Sequence, residues 1–231
     1  MSVLVFGHSG QLARSLQQIA SERGEPWHFL GRAQADLADP AVCAEAIHGH
    51  RPRAVVSAAA WTAVDAAEGA EAEAMIVNGA APRAIILRTS WVFSSFGSNF
   101  VKTMLRLGRE RPELSVVDDQ VGGPTSALAL AGAVQTLTEA LLAGEVGGTY
   151  HFCEGPYVSW AGFAAAIMAT AHLPCEIKPI PSSAYPTAAP RPLNSRLDCH
   201  ALHQRFAVPA TSWRDSMAAV VNALEAQDLE S

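Results

Sequence analysis

Three residues near the N-terminus have the types and spacing of a phosphate-binding turn. Gly7, Gly10 and Ala13 follow a short apolar run directly and precede a helical pattern. Glycine permits a positive φ and lets backbone N–H groups approach a pyrophosphate, which the positive end of the helix dipole then favours. The segment therefore predicts a dinucleotide site, with an ordinary tight strand-to-helix turn as the alternative.

Charged residues follow the second apolar run, where the adenosine ribose of a dinucleotide would lie. Arg32 stands at that end, and Asp36 and Leu37 come shortly after it. An acidic residue here would bind the ribose hydroxyls of NAD, whereas an arginine suits the 2′-phosphate of NADP. Arg32 therefore favours NADPH and leaves NADH open. Its alternative role is that of a solvated surface charge.

Small residues end the third apolar run, in the stretch Ala58–Thr62. Small side chains at the carboxyl end of a central strand let a cofactor lie against the backbone, and ligands of open α/β sheets bind at such strand ends. Thr62 adds a hydroxyl group, which serves equally well as the N-cap of a following helix. The two roles are compatible.

A parallel sheet would position these turns. The first half of the chain alternates strand and helix patterns in the way that such a sheet requires. Continuous apolar runs separated by helical patterns predict strands that are buried on both faces. The predicted order is strand Ser2–Phe6, a helix through Leu12, Leu16 and Ile19, strand Trp27–Leu30, helix Pro40–His50, strand Ala54–Ala60 and strand Ile85–Ser90. We therefore predict an α/β fold: a doubly wound parallel sheet of the Rossmann type, with a smaller C-terminal α/β part.

The second half of the chain has a mixed pattern. Helices are predicted at Asn99–Arg111, Ala127–Ala143, Ser159–Ala171 and Trp213–Ala226, and strands at Leu114–Val117 and Thr149–Phe152. The prolines of Pro179–Pro192 argue against regular structure there. We divide the chain into a dinucleotide-binding part, residues 1–120, and a mainly substrate-binding part, residues 121–231, some of which can return to the first.

Composition excludes several classes of protein. Hydrophobic residues make up 49% and charged residues 16% of the chain, as in globular proteins. The formal charge of −6 and the lack of a Lys/Arg cluster argue against a nucleic-acid partner. No apolar run approaches the ~20 residues of a membrane span, and no charged leader precedes the first one. We expect a soluble cytoplasmic protein. A homodimer is left open, although no residue pattern indicates one.

The four cysteines are widely separated and form no C-x-x-C pair. They are Cys43, Cys153, Cys175 and Cys199. This spacing predicts neither a zinc site nor a disulfide framework, so we expect no metal and ordinary thiols.

A series of longer motifs narrows the class of enzyme. The first turn has the G-x-x-G-x-x-A spacing typical of short-chain and extended short-chain dehydrogenases. The motifs that follow are Ala58–Glu68 (A-A-A-x-T-A-V-D-x-A-E), Arg88–Phe93, Asn99–Leu105, Val117–Gln120, Gly123–Thr125 and Tyr185–Leu197. In this order they resemble the dTDP-4-dehydrorhamnose reductase family, over both halves of the chain.

The resemblance implies an NAD(P)H-dependent oxidoreductase that reduces the C4 ketone of dTDP-4-dehydro-L-rhamnose, the last step of dTDP-L-rhamnose synthesis. The roles it implies are a pyrophosphate site at Gly7, Gly10, Gln11 and Leu12, adenosine contacts from Asp36 and Leu37, a lining along the cofactor from Ala60, Trp61 and Thr62, and substrate contacts from Trp91 and Arg191. A guanidinium at position 191 suits a diphosphate chemically. The alternatives are packing for Trp91 and a surface ion pair for Arg191.

One departure from the family affects catalysis. Members use Tyr-x-x-x-Lys, in which the tyrosine donates the proton and the lysine lowers the tyrosine's pKa. The residues four places after Tyr150, Tyr157 and Tyr185 are Glu154, Ala161 and Ala189, so no such pair exists and no catalytic residue is assigned. Three explanations follow: a reductase given by an incomplete sequence, a catalytically silent nucleotide-binding or regulatory subunit, or the remnant of a disrupted gene.

The loss is confined to one place. The motifs on either side are intact, so we expect one strand, the helix that follows it and part of the preceding helix to be missing near Asn78–Ala80. A central parallel strand is held by ladders on both sides, and its neighbours must respond to its removal. We expect an unbroken chain across Asn78–Pro82, with Ile85–Ser90 paired directly to Val55–Ala58. The alternative is a gap one strand wide between them.

Overall fold

The computed structural model describes residues 2–58 and 85–229. Its strands are β1 (Val3–Phe6), β2 (Trp27–Leu30), β3 (Ala54–Ser57), β4 (Ile85–Arg88), β5 (Val92–Phe93), β6 (Glu113–Val117), β7 (Val121–Gly122), β8 (Thr125–Ser126), β9 (Gly148–His151), β10 (Val158–Ser159), β11 (Glu176–Ile180) and β12 (Asn194–Ser195). Its helices are α1 (Gln11–Arg23), α2 (Pro40–His50), α3 (Phe100–Glu110), α4 (Ala127–Leu142), α5 (Trp160–Thr170), a 3₁₀ turn (Ser182–Ala184), α6 (His200–Phe206) and α7 (Trp213–Leu229).

The described residues form two compact units. The first contains residues 2–58, 85–87 and 131–150, and the second contains residues 88–130 and 151–229. This division differs from the predicted boundary at residue 120, because the chain leaves the first unit at residue 88. Residues 131–150 return to the first unit, a return that the prediction allowed.

The first unit is built on a parallel sheet with strand order β2-β1-β3. Val3 at the start of β1 lies opposite Trp27 on one side and Ala54 on the other. All four residues of β1 are buried, as expected of a central parallel strand covered on both faces.

Alternate residues of β1 face different layers of helices. Val3 and Val5 pack with Leu16 of α1 and Ala131 of α4. The other two β1 residues, Leu4 and Phe6, cluster with residues of α2 and its approach. Helices therefore cover both faces of the sheet, which is the predicted doubly wound arrangement.

The strand that follows the predicted deletion has a different partner from the one expected. β4 pairs with β9, while β3 pairs with β1. Among the described residues no ladder joins β3 to β4, so the expected direct pairing of Ile85–Ser90 with Val55–Ala58 is not found. The predicted chain path across Asn78–Pro82 lies outside the described residues.

The second unit has its own core, formed mainly by α3, α5 and α7. Phe163 of α5 stacks on Phe100 of α3 at 5.6 Å and meets the Trp213 ring of α7 edge-on at 5.2 Å. The side chains of Phe163 and Trp213 are fully buried. The parallel pair β6–β11 packs against α5.

The helix boundaries follow from local capping. The Asn99 side chain accepts a hydrogen bond from the Lys102 N–H, so Asn99 caps α3 instead of joining it. Ser159 caps α5 in the same way through the Gly162 N–H. These caps shift the predicted helix starts by one residue, as side-chain competition for the first N–H groups requires.

The proline segment is more regular than its composition predicts. β11 extends through Pro179, which lies opposite Val116 of β6. In the described part of the chain β11 pairs with β6 alone, and an edge strand tolerates the missing N–H of a proline. Helix α6 and strand β12 were also not predicted.

None of the described helices is long and apolar enough to cross a bilayer.

A buried carboxyl group links three segments of the second unit. Glu154 is fully buried, and its Oε2 accepts a 2.6 Å hydrogen bond from the Ser126 N–H. Its Oε1 accepts a 2.6 Å hydrogen bond from the Ser216 hydroxyl. These bonds connect the end of β8 and helix α7 to the segment after β9.

Removing this carboxyl should therefore destabilise the second unit strongly. We expect Glu154→Ala to lower the free energy of unfolding by about 2–4 kcal/mol, because it leaves the Ser126 N–H without its acceptor. Ser216→Ala removes only one hydrogen bond and should lower the free energy of unfolding by about 1 kcal/mol. Urea denaturation followed by circular dichroism measures both losses. Equal losses in the two variants would contradict the role given to Glu154.

Candidate functional site

The turn after β1 is built around a residue that has to be glycine. Gly7 has a φ of +132°, and its N–H donates to the Leu30 carbonyl at 2.8 Å. A Cβ at this position would lie 3.1 Å from the carbonyl carbon of Ala58. The positive φ would strain any other residue, and a Cβ would require the Ala58 backbone to shift, so the fold of the chain itself explains this glycine.

Gly10 differs, because nothing among the described residues requires a glycine there. It is the N-cap of α1 with φ −69° and ψ 161°, an extended conformation open to any residue. A Cβ at Gly10 would meet no atom of the described residues within 4 Å. In the described part of the chain, the position thus has open space in front of a helix N-terminus, which is what a pyrophosphate needs.

The first turn of α1 suits an anion in charge as well as in shape. It contains no acidic residue, and no side chain caps it. The preceding loop is held by the Gln17 amide, which donates to the His8 carbonyl at 3.0 Å. The side chain of Leu12 packs against the core of the first unit, so only the backbone of Leu12 is available to bind an anion. Gln11 begins the helix.

The charged residues after β2 form one local structure. Arg32 Nε donates to Asp36 Oδ2 at 2.9 Å, and the Ala38 N–H donates to Asp36 Oδ1 at 3.0 Å. The N–H of Ala38 and then the Arg32 guanidinium hold the pKa of the Asp36 carboxyl below its ordinary value. The Arg32 side chain is 83% exposed. Leu37 packs beneath this loop against the core around Leu4, Phe6 and Leu30.

The remaining predicted cofactor residues, Ala60, Trp61 and Thr62, lie outside the described residues. Ala58, just before them, donates its N–H to the Phe6 carbonyl at 2.9 Å, which extends the ladder between β1 and β3 by one bond.

Trp91 belongs to the second unit and is engaged in packing. Its ring stacks on Trp160 with centroids 3.6 Å apart and planes 11° from parallel. A Cβ on Gly122 would come within 2.7 Å of the same ring. Trp91 also has a positive φ of +49°, which is unusual for a bulky residue. Packing, the alternative role, therefore explains much of the environment of the Trp91 ring.

Arg191 lies half-buried in the segment between the 3₁₀ turn and β12. The start of that segment is fixed by the Asp119 carboxylate, which accepts hydrogen bonds from the N–H and the hydroxyl of Ser182. Ala189, two residues before Arg191, is buried and accepts from the Thr187 hydroxyl at 2.7 Å. Arg191 is thus carried by an anchored segment.

The comparisons with known proteins agree on one family. The sequence model of the family described as RmlD substrate binding domain matches residues 1–86 and 79–226. The dTDP-4-dehydrorhamnose reductase of Burkholderia thailandensis is 33% identical over 299 positions, which cover 98% of this chain and 100% of that protein. This chain belongs to the dTDP-4-dehydrorhamnose reductase family.

Solved structures of reductases confirm the α/β Rossmann fold. The one from Clostridium acetobutylicum has a TM-score of 0.88 at 24% identity, covering 97% of this chain and 100% of that chain. A Bacillus anthracis reductase in complex with NADP has a TM-score of 0.84 at 24% identity, covering 95% and 98%. At this identity the likeness concerns the fold.

The reductase family model matches this chain in two stretches that overlap at residues 79–86, next to the predicted junction at Asn78–Ala80. The alignment with the Burkholderia reductase extends over 299 positions, although this chain has 231 residues, so positions of that protein have no counterpart in this chain. The family relationship therefore holds on both sides of the predicted junction.

Both lysines and two of the three tyrosines that could replace the family's Tyr–Lys pair are engaged elsewhere. The chain has two lysines: Lys102 Nζ donates to the Ser95 carbonyl at 3.3 Å, and Lys178 Nζ donates to Glu113 at 2.6 Å. Tyr150 is buried in β9, and the Tyr157 hydroxyl donates to the Leu197 carbonyl at 2.6 Å. Neither lysine stands beside a tyrosine in a described contact.

Sequence reasoning missed one group of chemically capable residues. Cys153 and Cys199 lie side by side in the second unit, with their sulfurs 3.7 Å apart. Their separation of 46 residues gives no spacing signal, so only the fold could reveal the pair.

The space at Gly10 leads to a direct test of cofactor binding. Gly10→Val should abolish binding of NADPH and NADH, because the side chain fills the space that the pyrophosphate needs, and Gly10→Ala should weaken it less. Titration followed by tryptophan or cofactor fluorescence measures the dissociation constants. Thermal unfolding should change little, since the new Cβ meets no protein atom. An unchanged titration in Gly10→Val would remove this site from the proposal.

The exposed Arg32 guanidinium leads to a second test. If it meets a 2′-phosphate, Arg32→Asp should raise the Kd for NADPH by about tenfold or more and leave that for NADH nearly unchanged, because a charge-assisted contact is lost. Arg32→Ala is the matched control, since it removes the cation without placing a second carboxylate beside Asp36. A constant ratio of the two Kd values would assign Arg32 to the surface.

Proposed function

We propose that this protein is a reductase that uses NADPH or NADH to convert dTDP-4-dehydro-L-rhamnose into dTDP-L-rhamnose. The observation that carries the proposal is the empty space at Gly10, in front of the uncapped N-terminus of α1, in a chain of this family. The names of the curated relatives support the substrate, and the NADP complex of a related structure supports the cofactor.

The first unit supplies the residues that would hold the cofactor. The backbone N–H groups at the start of α1, from Gln11 and Leu12, would bind the pyrophosphate in the space left by Gly10. Asp36 and Leu37 would flank the adenosine, and Arg32 would meet a 2′-phosphate. Ala60, Trp61 and Thr62 complete the proposed lining. When bound, the cofactor supplies the hydride for the C4 ketone.

The second unit supplies the proposed substrate residues. Arg191 would pair with the diphosphate or the thymidine end, since a guanidinium binds phosphate oxygens bidentately. Trp91 would contribute the part of its ring that neither Trp160 nor Gly122 covers. A guanidinium and an aromatic ring are residue types that suit a dTDP-sugar as the binding partner.

Proton transfer is the step that these residues do not provide. Reduction of a ketone needs an acid at the developing alkoxide, and the family's acid is the tyrosine of Tyr-x-x-x-Lys. The 231 residues contain no such pair, and both lysines are engaged elsewhere. The chain therefore contains the proposed nucleotide-binding residues but lacks the family's acid, which would protonate the alkoxide formed from the ketone.

This absence favours a second candidate function, a catalytically silent nucleotide-binding or regulatory subunit. The two candidates differ in the gene. An open reading frame that encodes the tyrosine and lysine between the two matched stretches would identify the protein as an active reductase. A gene that encodes only the 231 residues would favour the silent subunit.

The polypeptide of 231 residues should reduce the keto-sugar nucleotide negligibly. Loss of a positioned proton donor alone lowers the rate by ~10²–10⁴-fold, and loss of the lysine disturbs cofactor placement as well. Oxidation of NADPH followed by absorbance measures the rate, with a family member that carries the Tyr–Lys pair as the control. Cofactor binding should persist in the same sample. Turnover comparable to that of the control would show that another residue serves as the acid.

A further inference from the structure

Two cysteines distant in sequence meet in the second unit. Cys153 follows β9 and Cys199 immediately precedes α6. Their sulfurs lie 3.7 Å apart, and the Cys153 N–H also donates to the Cys199 sulfur at 3.2 Å. Both are free thiols in this structure. The contact is direct, with no side chain between the two sulfurs.

The two thiols have different environments. The hydrogen bond between the two thiols lowers the pKa of Cys199 to about 6 against the opposing effect of burial, with help from the Cys153 N–H and the nearby His203. The same hydrogen bond and burial raise the pKa of Cys153. Cys153 is 8% exposed, whereas Cys199 is half-buried. Cys199 is therefore both the more reactive and the more accessible thiol.

The pair borders a cavity that a small reagent can occupy. Its volume is about 440 Å³. The titratable and charged residues around the two sulfurs are Glu154, Tyr157, Asp198, His200 and His203. The other two cysteines have no sulfur neighbour in the described contacts: Cys43 donates to the Asp36 carbonyl, and Cys175 donates to the Glu176 carbonyl.

We propose that Cys153 and Cys199 form a reversible dithiol–disulfide site that reacts with low-molecular-weight disulfides, with Cys199 as the nucleophile and Cys153 as the resolving thiol. The proposal rests on the contact between the sulfurs, their unequal exposure and the adjoining cavity. It is independent of the proposed reductase activity.

The reaction balances with one disulfide reagent, written RSSR. The Cys199 thiolate attacks one sulfur of RSSR, which forms a mixed disulfide and releases one RS⁻. The Cys153 thiol gives up its proton and attacks the Cys199 sulfur, which forms the internal disulfide and releases the second RS⁻. The two protein thiols are oxidised, RSSR is reduced to two RSH, and the two released thiolates take up the two protons.

The geometry needs only a short movement. The sulfurs must close from 3.7 Å to the ~2.05 Å of a disulfide bond. Gly123 makes room for Cys153, since a Cβ there would lie 2.7 Å from its sulfur. The bond would tie Cys199, which follows the Arg191 segment, to the end of β9.

The site is tested with oxidised glutathione as the probe. We expect the reduced wild-type chain to lose two hydrogens in intact-mass spectra, with peptide mapping that joins Cys153 to Cys199. Cys153→Ser should instead stop at one bound glutathione on Cys199. Cys199→Ser should react no faster than the background at Cys43 and Cys175. Dithiothreitol should reverse each product.

Cys43→Ser and Cys175→Ser are matched controls and should form the internal disulfide as the wild type does. Glutathione attached to Cys43 or Cys175 as fast as to Cys199, or a wild-type chain that keeps both thiols after treatment, would overturn the proposal. A Cys153→Ser chain that releases glutathione as readily as the wild type would also overturn the resolving role.

A measurement on the wild-type chain covers the case in which a variant fails to fold. Alkylation of Cys199 by iodoacetamide should be half-maximal near pH 6, whereas Cys43 should need a pH above the ordinary thiol range because burial raises its pKa. At pH 7 Cys199 should react about tenfold faster than Cys43. Equal rates at every pH would contradict the assignment of Cys199 as nucleophile.

Discussion

Gly7 follows β1 with a φ of +132°, at a point where a Cβ would lie 3.1 Å from the carbonyl carbon of Ala58. The preceding strand, β1, is paired on both sides and buried on both faces. The turn at Gly7 leads the chain at once into α1, so the helix N-terminus lies at the carboxyl end of the sheet. The location of the proposed nucleotide site follows from that turn.

The proposed binding site and the expected acid belong to different parts of the chain. The proposed pyrophosphate site uses the end of β1, the turn and the start of α1, all of which precede the overlap of the two matched stretches at residues 79–86. The sequence contains no Tyr-x-x-x-Lys pair, and the predicted junction at Asn78–Ala80 is where we expect the segment that would carry it. Loss of that segment would remove the acid and leave the proposed anion site unchanged.

The first unit could be predicted well because its signals are local. The bounds of β2 and α2 follow from an apolar run and from Pro40 at a helix start that Asp39 caps. The turn at Gly7 and Gly10 was likewise readable from its spacing. For Trp91 the sequence left packing and substrate contact open, and it could not identify Trp160 as the stacking partner because the two residues are far apart in sequence. The Cys153–Cys199 contact escaped prediction for the same reason.

The strands that precede and follow the predicted junction are less buried than β1. All of β1 is buried, as a parallel strand covered on both faces should be, whereas β3 and β4 are covered unevenly. Val55 of β3 is 44% exposed and Ile86 of β4 is 40% exposed. In sequence these strands precede and follow the overlap of the two matched stretches at residues 79–86. Loss of a strand and its helix would expose apolar residues on the strands that flank it, and Val55 and Ile86 are two of the large apolar residues exposed in the described part of the chain.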